Sequence, residues 1–326
     1  MIFINKDSLD PWFNLAAEEY VLKNRSEDIF MLWQNTACVV IGKHQNAMGE
    51  INAQFIAENN IPVIRRITGG GTVFHDLNNL NYTFVTNCQA GGNQVDFKKY
   101  TLPVITYLQS LGVPAQISGK SNITVDGLKV SGNAAHVFKN RTIHHGTLLF
   151  DTDLNLLENI IQPSMQDFDS KAIPSVKAKV TNISSHLARP LSMPIFTERL
   201  KKHIQRHFQH EQSAQFTVEE REKINALANE KYKTWDWNFG YSPDYMLTKN
   251  IESDYGVFRI SLSVHKGIVA KCEVEGLHNA HLASLLIKLL KDSPHYPGPA
   301  SRKIENFASI DPALLKGLEK ILHQLI

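Results

Sequence analysis

The stretch RRITGGGTVFHD, residues 65–76, places two arginines just before three consecutive glycines. Glycine lacks the Cβ atom that keeps a ligand away from the backbone, and it reaches positive φ at little steric cost. Successive backbone N–H groups in such a turn can form a concave anion site, and an arginine fork suits phosphate or carboxylate. The residues therefore indicate anion binding by a backbone loop. A plain glycine-rich hairpin with solvated arginines fits this loop alone equally well.

A second segment of chemical interest is DGLKVSGNAA, residues 126–135, followed by HHGTLL, residues 144–149. Taken in this order and at these separations, RRITGGGTVFHD, KVSGNAA and HHGTLL resemble the lipoate-protein ligase A family, which is related to the biotin ligases. The resemblance continues into LWQNTACVVIGKHQN, SVKAKVTNI and TWDWNFG and so covers most of the chain. Several motifs in one order are more specific than any single motif.

The resemblance implies an ATP-dependent ligase that converts lipoate, or octanoate, to lipoyl-AMP with ATP and Mg²⁺ as cofactors. The acyl group would then pass to a lysine ε-amine. The implied acceptors are lipoyl domains of 2-oxoacid dehydrogenase E2 subunits and the glycine-cleavage H protein. We expect a monomer with no nucleic-acid or membrane partner.

Lys129 corresponds to the family's lysine that contacts both the carboxylate and the ATP α-phosphate. A compact ammonium there offsets the repulsion between two anions that must react. From the residues alone, the simpler interpretation of Lys129 is a water-facing lysine of a hairpin, and it is the resemblance that favours a catalytic role. The resemblance assigns ATP and lipoate binding to Arg66, Gly70, Gly71, Thr72, Val73, Phe74 and Lys129.

The chain departs from the family at the implied metal site. Where the family has Gly-Arg-Asn-Asp, this chain has Gly119-Lys120-Ser121-Asn122. A neutral Asn oxygen binds a hard cation more weakly than a carboxylate does, so the metal ligands stay unassigned. His144 and His145 do not form a metal pair, because adjacent strand residues point to opposite faces. We predict hydrogen-bonded structural roles for them, and a loop-fixing role for His75 and Asp76.

Two rival functions remain open. An octanoyl- or lipoyl-transferase of the same fold would pass the acyl group through a cysteine, and Asn122 leaves room for a non-catalytic carrier-binding module. Cys38, Cys88 and Cys272 lie far apart and form no CxxC pair, which argues against disulfides and zinc and indicates a reducing compartment. None is near Lys129 in sequence.

Composition is that of an ordinary globular protein, with 43% apolar and 20% charged residues among 326. The net charge of +2 does not favour electrostatic binding of nucleic acid. We see no signal peptide and no apolar run of the roughly 18 residues that a membrane span needs. A cytoplasmic location is expected.

These residues must be positioned by an α/β (α+β) fold. We expect a large biotin/lipoyl-ligase-like catalytic domain, residues 1–245, with a mixed, largely antiparallel sheet flanked by helices. A small α+β accessory domain should follow at 246–326. Asp126-Gly127 predicts a type I′ hairpin that carries Lys129 on its second strand, and His265-Lys266-Gly267 predicts another turn. The polar segment 164–182 carries three lysines and lacks sustained periodicity, which predicts a long loop without secondary structure. The resemblance implies that this segment is a lid that closes over the adenylate.

Overall fold

The computed structural model describes residues 1–88, 94–162, 167–209, 212–297 and 312–325. Within these ranges the α-helices are α1 (Pro11–Asn24), α2 (Ala53–Glu58), α3 (Phe97–Ser110), α4 (Leu154–Ile160), α5 (Met193–His207), α6 (Val218–Leu227), α7 (Ala280–Leu290) and α8 (Pro312–Leu325). In the part of the chain so described, no helix is both long and apolar enough to span a membrane.

Helix α1 begins at Asp10-Pro11, a pair of residues typical of a helix start. The Asp10 carboxylate accepts hydrogen bonds from the N–H groups of Trp12 and Phe13, at 2.8 and 3.3 Å. Pro11 occupies the first helical position, where its missing N–H costs nothing. Most of this helix is buried, and its buried residues include the carboxylate side chain of Glu18.

The chain forms two compact units, of which the first comprises residues 1–43, 63–157 and 176–234. Its large sheet has strands in the spatial order β12 (Ser213–Ala214), β1 (Ile2–Asn5), β2 (Ile29–Trp33), β6 (Asn79–Asn87), β10 (Arg141–Leu149), β9 (Leu128–Phe138), β8 (Asn122–Val125) and β7 (Ala115–Ser118). Strand β1 pairs in parallel with both neighbours, and the other pairs are antiparallel. The predicted mixed, largely antiparallel sheet is confirmed.

A smaller sheet carries the glycine loop. Its order is β4 (Val63–Arg65), β3 (Cys38–Ile41) and β5 (Val73–His75), with β3 parallel to β4 and antiparallel to β5. The loop connects β4 to β5, so it is anchored at both ends to the same central strand.

The core of the first unit lies between the large sheet and helices α3 and α5. Its buried members include Phe30, Phe84, Val104, Tyr107, Val130, Leu148, Phe196 and Leu200. Gly112, just beyond α3, has a φ of +82°, the left-handed conformation in which many helices end at a glycine.

The second unit comprises residues 44–62, 158–175 and the chain from Trp235 onward. Its sheet has the order β11 (Phe168–Ser170), β13 (Tyr245–Ser253), β14 (Gly256–His265) and β15 (Ile268–Glu275). Alternate residues of β14 are buried, and they share a core with α7 and α8. The expected α+β character is confirmed. The division into catalytic and accessory domains at residue 245 stays a prediction.

The segment 164–182 contains more regular structure than its composition predicts. Residues 164–166 lie outside the described residues. Beyond them, β11 pairs with β13, and Val180 forms a parallel bridge with Lys129. The expectation of a segment without secondary structure is therefore wrong, because its backbone groups complete two sheet edges. Its closure over an adenylate stays a prediction.

Candidate active site

The glycine loop brings its backbone close to the chain around it. Gly70 has a φ of +93°, and a Cβ atom there would lie 2.9 Å from Arg66 Nη2. Thr72 and Val73 are half-buried, whereas the Phe74 side chain is 1% exposed and belongs to the interior. A side chain at residue 70 would be strained and would displace Arg66, so this position needs glycine.

Arg66 is tied to the loop that follows it. Its Nη2 atom donates to the carbonyl oxygens of Gly69 and Gly71, both at 2.8 Å, and its Nε atom donates to Thr68 Oγ1 at 3.0 Å. Its Nη1 atom donates to the carbonyl of Val40 at 3.1 Å. Burial lowers the pKa of the guanidinium to about 10. Arg66 thus fixes the shape of the loop, and its contact with a nucleotide stays a prediction.

Arg65 does not have the place that the sequence suggests. The side chain is fully buried, and Nη1 donates to the carbonyl oxygens of Gly42 and Lys43 at 3.0 and 3.1 Å. A charge inside a protein requires such partners, because an unpaired one is very costly. Arg65 is therefore part of the buried framework that supports this region.

A chain of hydrogen bonds links helix α1 to the loop. His145 Nδ1 lies 3.0 Å from the Glu18 carboxylate, and His145 Nε2 lies 2.8 Å from Thr68 Oγ1, the same oxygen that accepts from Arg66. Thr83 Oγ1 donates to Glu18 at 2.5 Å. Although burial opposes ionisation, His145 and other partners hold the pKa of Glu18 below its ordinary value.

The other histidine and aspartate residues of these motifs have structural partners, as predicted. His144 Nε2 accepts a hydrogen bond from the backbone N–H of Asp96 at 3.1 Å, and burial lowers the pKa of His144 to about 4. His75 Nδ1 lies 3.0 Å from Asn35 Nδ2. The carboxylate of Asp76 accepts from two backbone N–H groups. His144 and His145 therefore hydrogen-bond to different partners.

Lys129 is a half-buried residue near the start of β9. Its backbone N–H donates to the carbonyl of Lys179 at 2.8 Å, and its carbonyl accepts from Thr181 at 3.0 Å. Burial lowers the pKa of its ammonium, and the positive charge of Arg66 lowers it further. Two cations that repel each other in this way are well placed to bind an anionic ligand.

Two motif residues hold the neighbouring turn. Asn133 donates from Nδ2 to the carbonyl of Ser121 at 2.8 Å, and its Oδ1 accepts from the Tyr82 hydroxyl. This pair occupies the space that a side chain on Gly146 would need. The Asn of KVSGNAA and the Gly of HHGTLL thus jointly position residue 121, next to Asn122.

The charges around Lys129 bear on the implied Mg²⁺. Among the described residues no cluster of three or more His, Cys, Asp or Glu side chains could hold a metal ion. Asn122, in place of the family's acid, contributes a neutral amide beside the Lys129 ammonium. Since Mg²⁺ is held by carboxylates together with substrate phosphates, these residues do not fit a protein-built Mg²⁺ site.

The cysteines are poorly suited to carry an acyl group. Burial raises the pKa of Cys38 to about 12 and that of Cys272 to about 11, so both thiols stay protonated at neutral pH. Cys88 Sγ lies 3.0 Å from Thr142 Oγ1 at the far end of β10 from Gly146.

The sequence also matches a family model described as the lipoyl protein ligase A/B catalytic domain, over residues 10–205. The chain belongs to this family. The matched range contains Arg66, the glycine loop and Lys129.

Named relatives agree with this membership over most of the chain. Lipoate-protein ligase LplJ of Bacillus subtilis is 37% identical over 285 residues, which cover 85% of each chain. Lipoate–protein ligase 1 of Staphylococcus aureus is 38% identical over 279 residues, covering 85% of this chain and 84% of the relative. The chain is therefore an enzyme of the lipoate-protein ligase class.

Solved structures confirm the fold. Plasmodium falciparum LipL1 in complex with lipoate aligns with a TM-score of 0.64 at 22% identity and covers 99% of both chains. A lipoate-protein ligase A bound with ATP has a TM-score of 0.62 at 22% identity, covering 74% of this chain and 98% of that chain. At this identity the likeness concerns architecture alone.

Sequence reasoning missed two buried charged residues of the first unit, Glu18 and Lys6. Glu18 lies in NLAAEEYVL, where the only signal is a carboxylate on a helix with no continuous polar face. Lys6 gave no signal, yet burial lowers its pKa to about 7, its Nζ donates to the carbonyl of Asn14 at 2.9 Å, and it lies over the Trp33 ring.

Proposed function

We propose that this member of the family is an ATP-dependent lipoate-protein ligase that acts in two steps at Lys129 and the glycine loop. A carboxylate oxygen of lipoate attacks the α-phosphorus of ATP, and pyrophosphate leaves. A lysine ε-amine of an acceptor protein then attacks the carbonyl carbon of lipoyl-AMP, and AMP leaves.

The observation that carries this proposal is the half-buried Lys129 ammonium, close enough to Arg66 for their charges to repel. Bringing a carboxylate onto a phosphate requires positive charge at the point where two anions meet. A preorganised ammonium in a site partly shielded from water meets that need, and its stabilisation grows as charge develops in the transition state.

The glycine loop has a complementary role. Because Arg66 donates to the carbonyl oxygens of Gly69 and Gly71, hydrogen bonds within the protein itself fix the shape of the loop. A preformed loop binds with a smaller loss of conformational entropy than a mobile one. We assign Gly70, Gly71, Thr72 and Val73 to contacts with ATP and lipoate, and Phe74 to the support of the loop from the interior.

ATP would enter as its magnesium complex, with Mg²⁺ held by the phosphates rather than by a protein site. Since a Thermoplasma acidophilum lipoate-protein ligase has been described with its E2 lipoyl domain, we infer that lipoyl domains of E2 subunits, and the H protein, are the acceptors here. A cytoplasmic location, a monomeric state and a preference for lipoate over octanoate stay predictions.

The test uses the full chain with lipoate, ATP, Mg²⁺ and a purified E2 lipoyl domain. We expect pyrophosphate release and an acceptor whose mass increases by one lipoyl group, both dependent on ATP. A matched reaction supplies an octanoylated carrier protein without ATP. Acyl transfer in that reaction alone would identify the chain as a transferase and overturn the proposal.

A cysteine-free variant completes this test. Cys38→Ala, Cys88→Ser and Cys272→Ala together should leave ATP-dependent lipoylation within about threefold of the parent, since no thiol contacts the reacting atoms in the proposed route. Should the folded variant lose all activity, the thioester mechanism would replace the adenylate mechanism.

A further inference from the structure

Strand β9 contains an irregularity directly beside Lys129. Thr124 pairs with Lys129, but the preceding residue of β8, Ile123, pairs with Ser131, so Val130 is an extra residue on one strand. This is a β-bulge, which shifts the alternation of side chains by one residue. Val130 and Ser131 are both fully buried, as expected if these two consecutive residues face the same side.

The bulge changes which residues share a face with Lys129. In a regular strand, residues three apart point to opposite faces. With one extra residue between them, Lys129 and Gly132 face the same side, which is also the side of Asn122, the residue that pairs with Gly132. The Lys129 side chain can therefore fold along the sheet across Gly132.

The distances show that it does so. A Cβ atom built on Gly132 would lie 2.9 Å from Lys129 Nζ, 3.0 Å from Lys129 Cε and 4.0 Å from Asn122 Oδ1. The lysine thus occupies the space of the side chain that Gly132 lacks. Gly132 is not one of the described glycines with a positive φ. The conformation of the backbone therefore does not explain why this position holds a glycine.

We propose that Gly132 is a positioning residue, which together with the bulge at Val130 places the Lys129 ammonium over the strand and beside Asn122. This inference rests on the proposed function, in which that ammonium lies between carboxylate and phosphate. Any side chain at residue 132 would move the ammonium away from the sheet while leaving the lysine present and charged.

Gly132→Ala in the full chain tests this. The new methyl group meets the flexible end of the Lys129 side chain. The lysine can therefore move aside, and the melting temperature should not fall. A misplacement of about 1 Å in a catalytic group can cost about 10²-fold in rate. We expect a fall in kcat for pyrophosphate release of that order, with a much smaller change in KM for lipoate.

A double-mutant comparison separates positioning from collision with the ligand. The readout is the Kd of a non-hydrolysable lipoyl sulfamoyl-adenosine. Gly132→Ala should weaken binding in the parent background but should have little further effect in the Lys129→Ala background, because the group it displaces is already absent. An equal loss in both backgrounds would show that the methyl group meets the ligand directly, and would overturn the inference.

The remaining outcomes are also decisive. Parental kcat in Gly132→Ala would show that the ammonium does not depend on this space. A variant that no longer folds would show that β9 itself requires the glycine, which contradicts a positioning role. If the parent chain releases no pyrophosphate from lipoate and ATP, the proposed function fails first, and this result is distinct from the other two.

Discussion

The chain builds the same backbone device twice. In the first unit, Asp126 and Gly127 turn the chain with φ of +50° and +80°, and the bulge follows at Val130. In the second unit, Lys266 and Gly267 turn it with φ of +50° and +73°. There the register shifts between Ser263 and Val264, so that Ala270 is the extra residue at the equivalent place.

The two hairpins differ in which face packs against a core. In the second unit, Val269 and Cys272 are buried, whereas Ala270 and Lys271 are exposed. In the first unit, Val130 and Ser131 take the places of Ala270 and Lys271, and both are buried. The residues equivalent to Val269 and Cys272 are Lys129 and Gly132. The same turn and bulge thus place two buried core residues on one face in one hairpin, and a lysine with a glycine on that face in the other.

The comparison teaches that the hairpin itself carries no function. A turn with a bulge brings the residues at its second and fifth positions after the turn onto one face. Apolar side chains there add core packing. A lysine with a glycine gives instead a charge lying on a bare strand, as bulges near active sites often re-aim a side chain.

The largest effects are expected for two variants that should behave in opposite ways, one losing activity and the other losing stability. Lys129→Ala should lower pyrophosphate release by at least about 10³-fold and leave the fold intact, because a half-buried cation contributes transition-state stabilisation rather than packing. Val269→Ala should do the reverse and cost about 1 to 3 kcal/mol of stability with near-normal kcat. The measurements are kcat and chemical denaturation of both variants.

Lys129→Arg is the matched control for charge in this pair. A planar guanidinium does not replace a compact ammonium between two anions, so we expect activity near that of the alanine variant. If the activity of Lys129→Ala were within a few-fold of the parent, the first hairpin would have no catalytic role to set against the core packing of the second.

The next largest effect concerns Gly70, which has a positive φ like the two turn glycines but has Arg66 against it. Gly70→Val should weaken lipoate and ATP binding by an order of magnitude or more, and it should also lower stability, since a β-branched residue at positive φ is strained. Calorimetric Kd values and thermal melts measure both. Normal binding by a variant whose melting temperature has collapsed would make the loop purely structural.

Much of this arrangement could be predicted from sequence, and the reason is local chemistry. The pairs Asp126-Gly127 and Lys266-Gly267 predict turns, because few residues adopt a positive φ at low steric cost. Asp10-Pro11 announces α1 for a similar local reason. The bulges could not be predicted, since one extra residue in a strand leaves no signature in residue type.

The buried polar framework was also out of reach. Arg65 and Arg66 look alike in sequence, yet only tertiary structure decides that Arg65 donates to the carbonyls of Gly42 and Lys43 while Arg66 holds the loop. Glu18 and His145 are 127 residues apart, and nothing local relates them. Motif resemblance located the candidate lysine, and packing explains how it is aimed.

A smaller effect should distinguish the turns themselves. At both Gly127 and Gly267 an alanine would carry left-handed strain of about 1 to 2 kcal/mol. A Cβ on Gly127 meets open space, whereas one on Gly267 would lie 3.0 to 3.3 Å from the Trp235 ring. Gly267→Ala should therefore be the less stable variant by denaturant titration. Equal losses would mean that the tryptophan moves aside freely.

The smallest effect concerns how much the buried charge of Lys129 lowers the stability of the folded chain. Burial and Arg66 lower its folded-state pKa, so at pH values between that pKa and the ordinary lysine value the unfolded chain binds more protons. Stability contributed by this position therefore rises with pH through that window, and at lower pH the charged lysine is a constant penalty.

Lys129→Met should raise the melting temperature by a few degrees at pH 7, and this advantage should shrink as pH approaches about 10.4, where the unfolded lysine also loses its proton. The equivalent change in the second hairpin, Val269→Met, introduces no titrating group and should give a difference from the parent that does not vary with pH. A Lys129→Met variant that is less stable than the parent at pH 7 would show that the ammonium packs favourably, and the two hairpins would then differ less than their burial indicates.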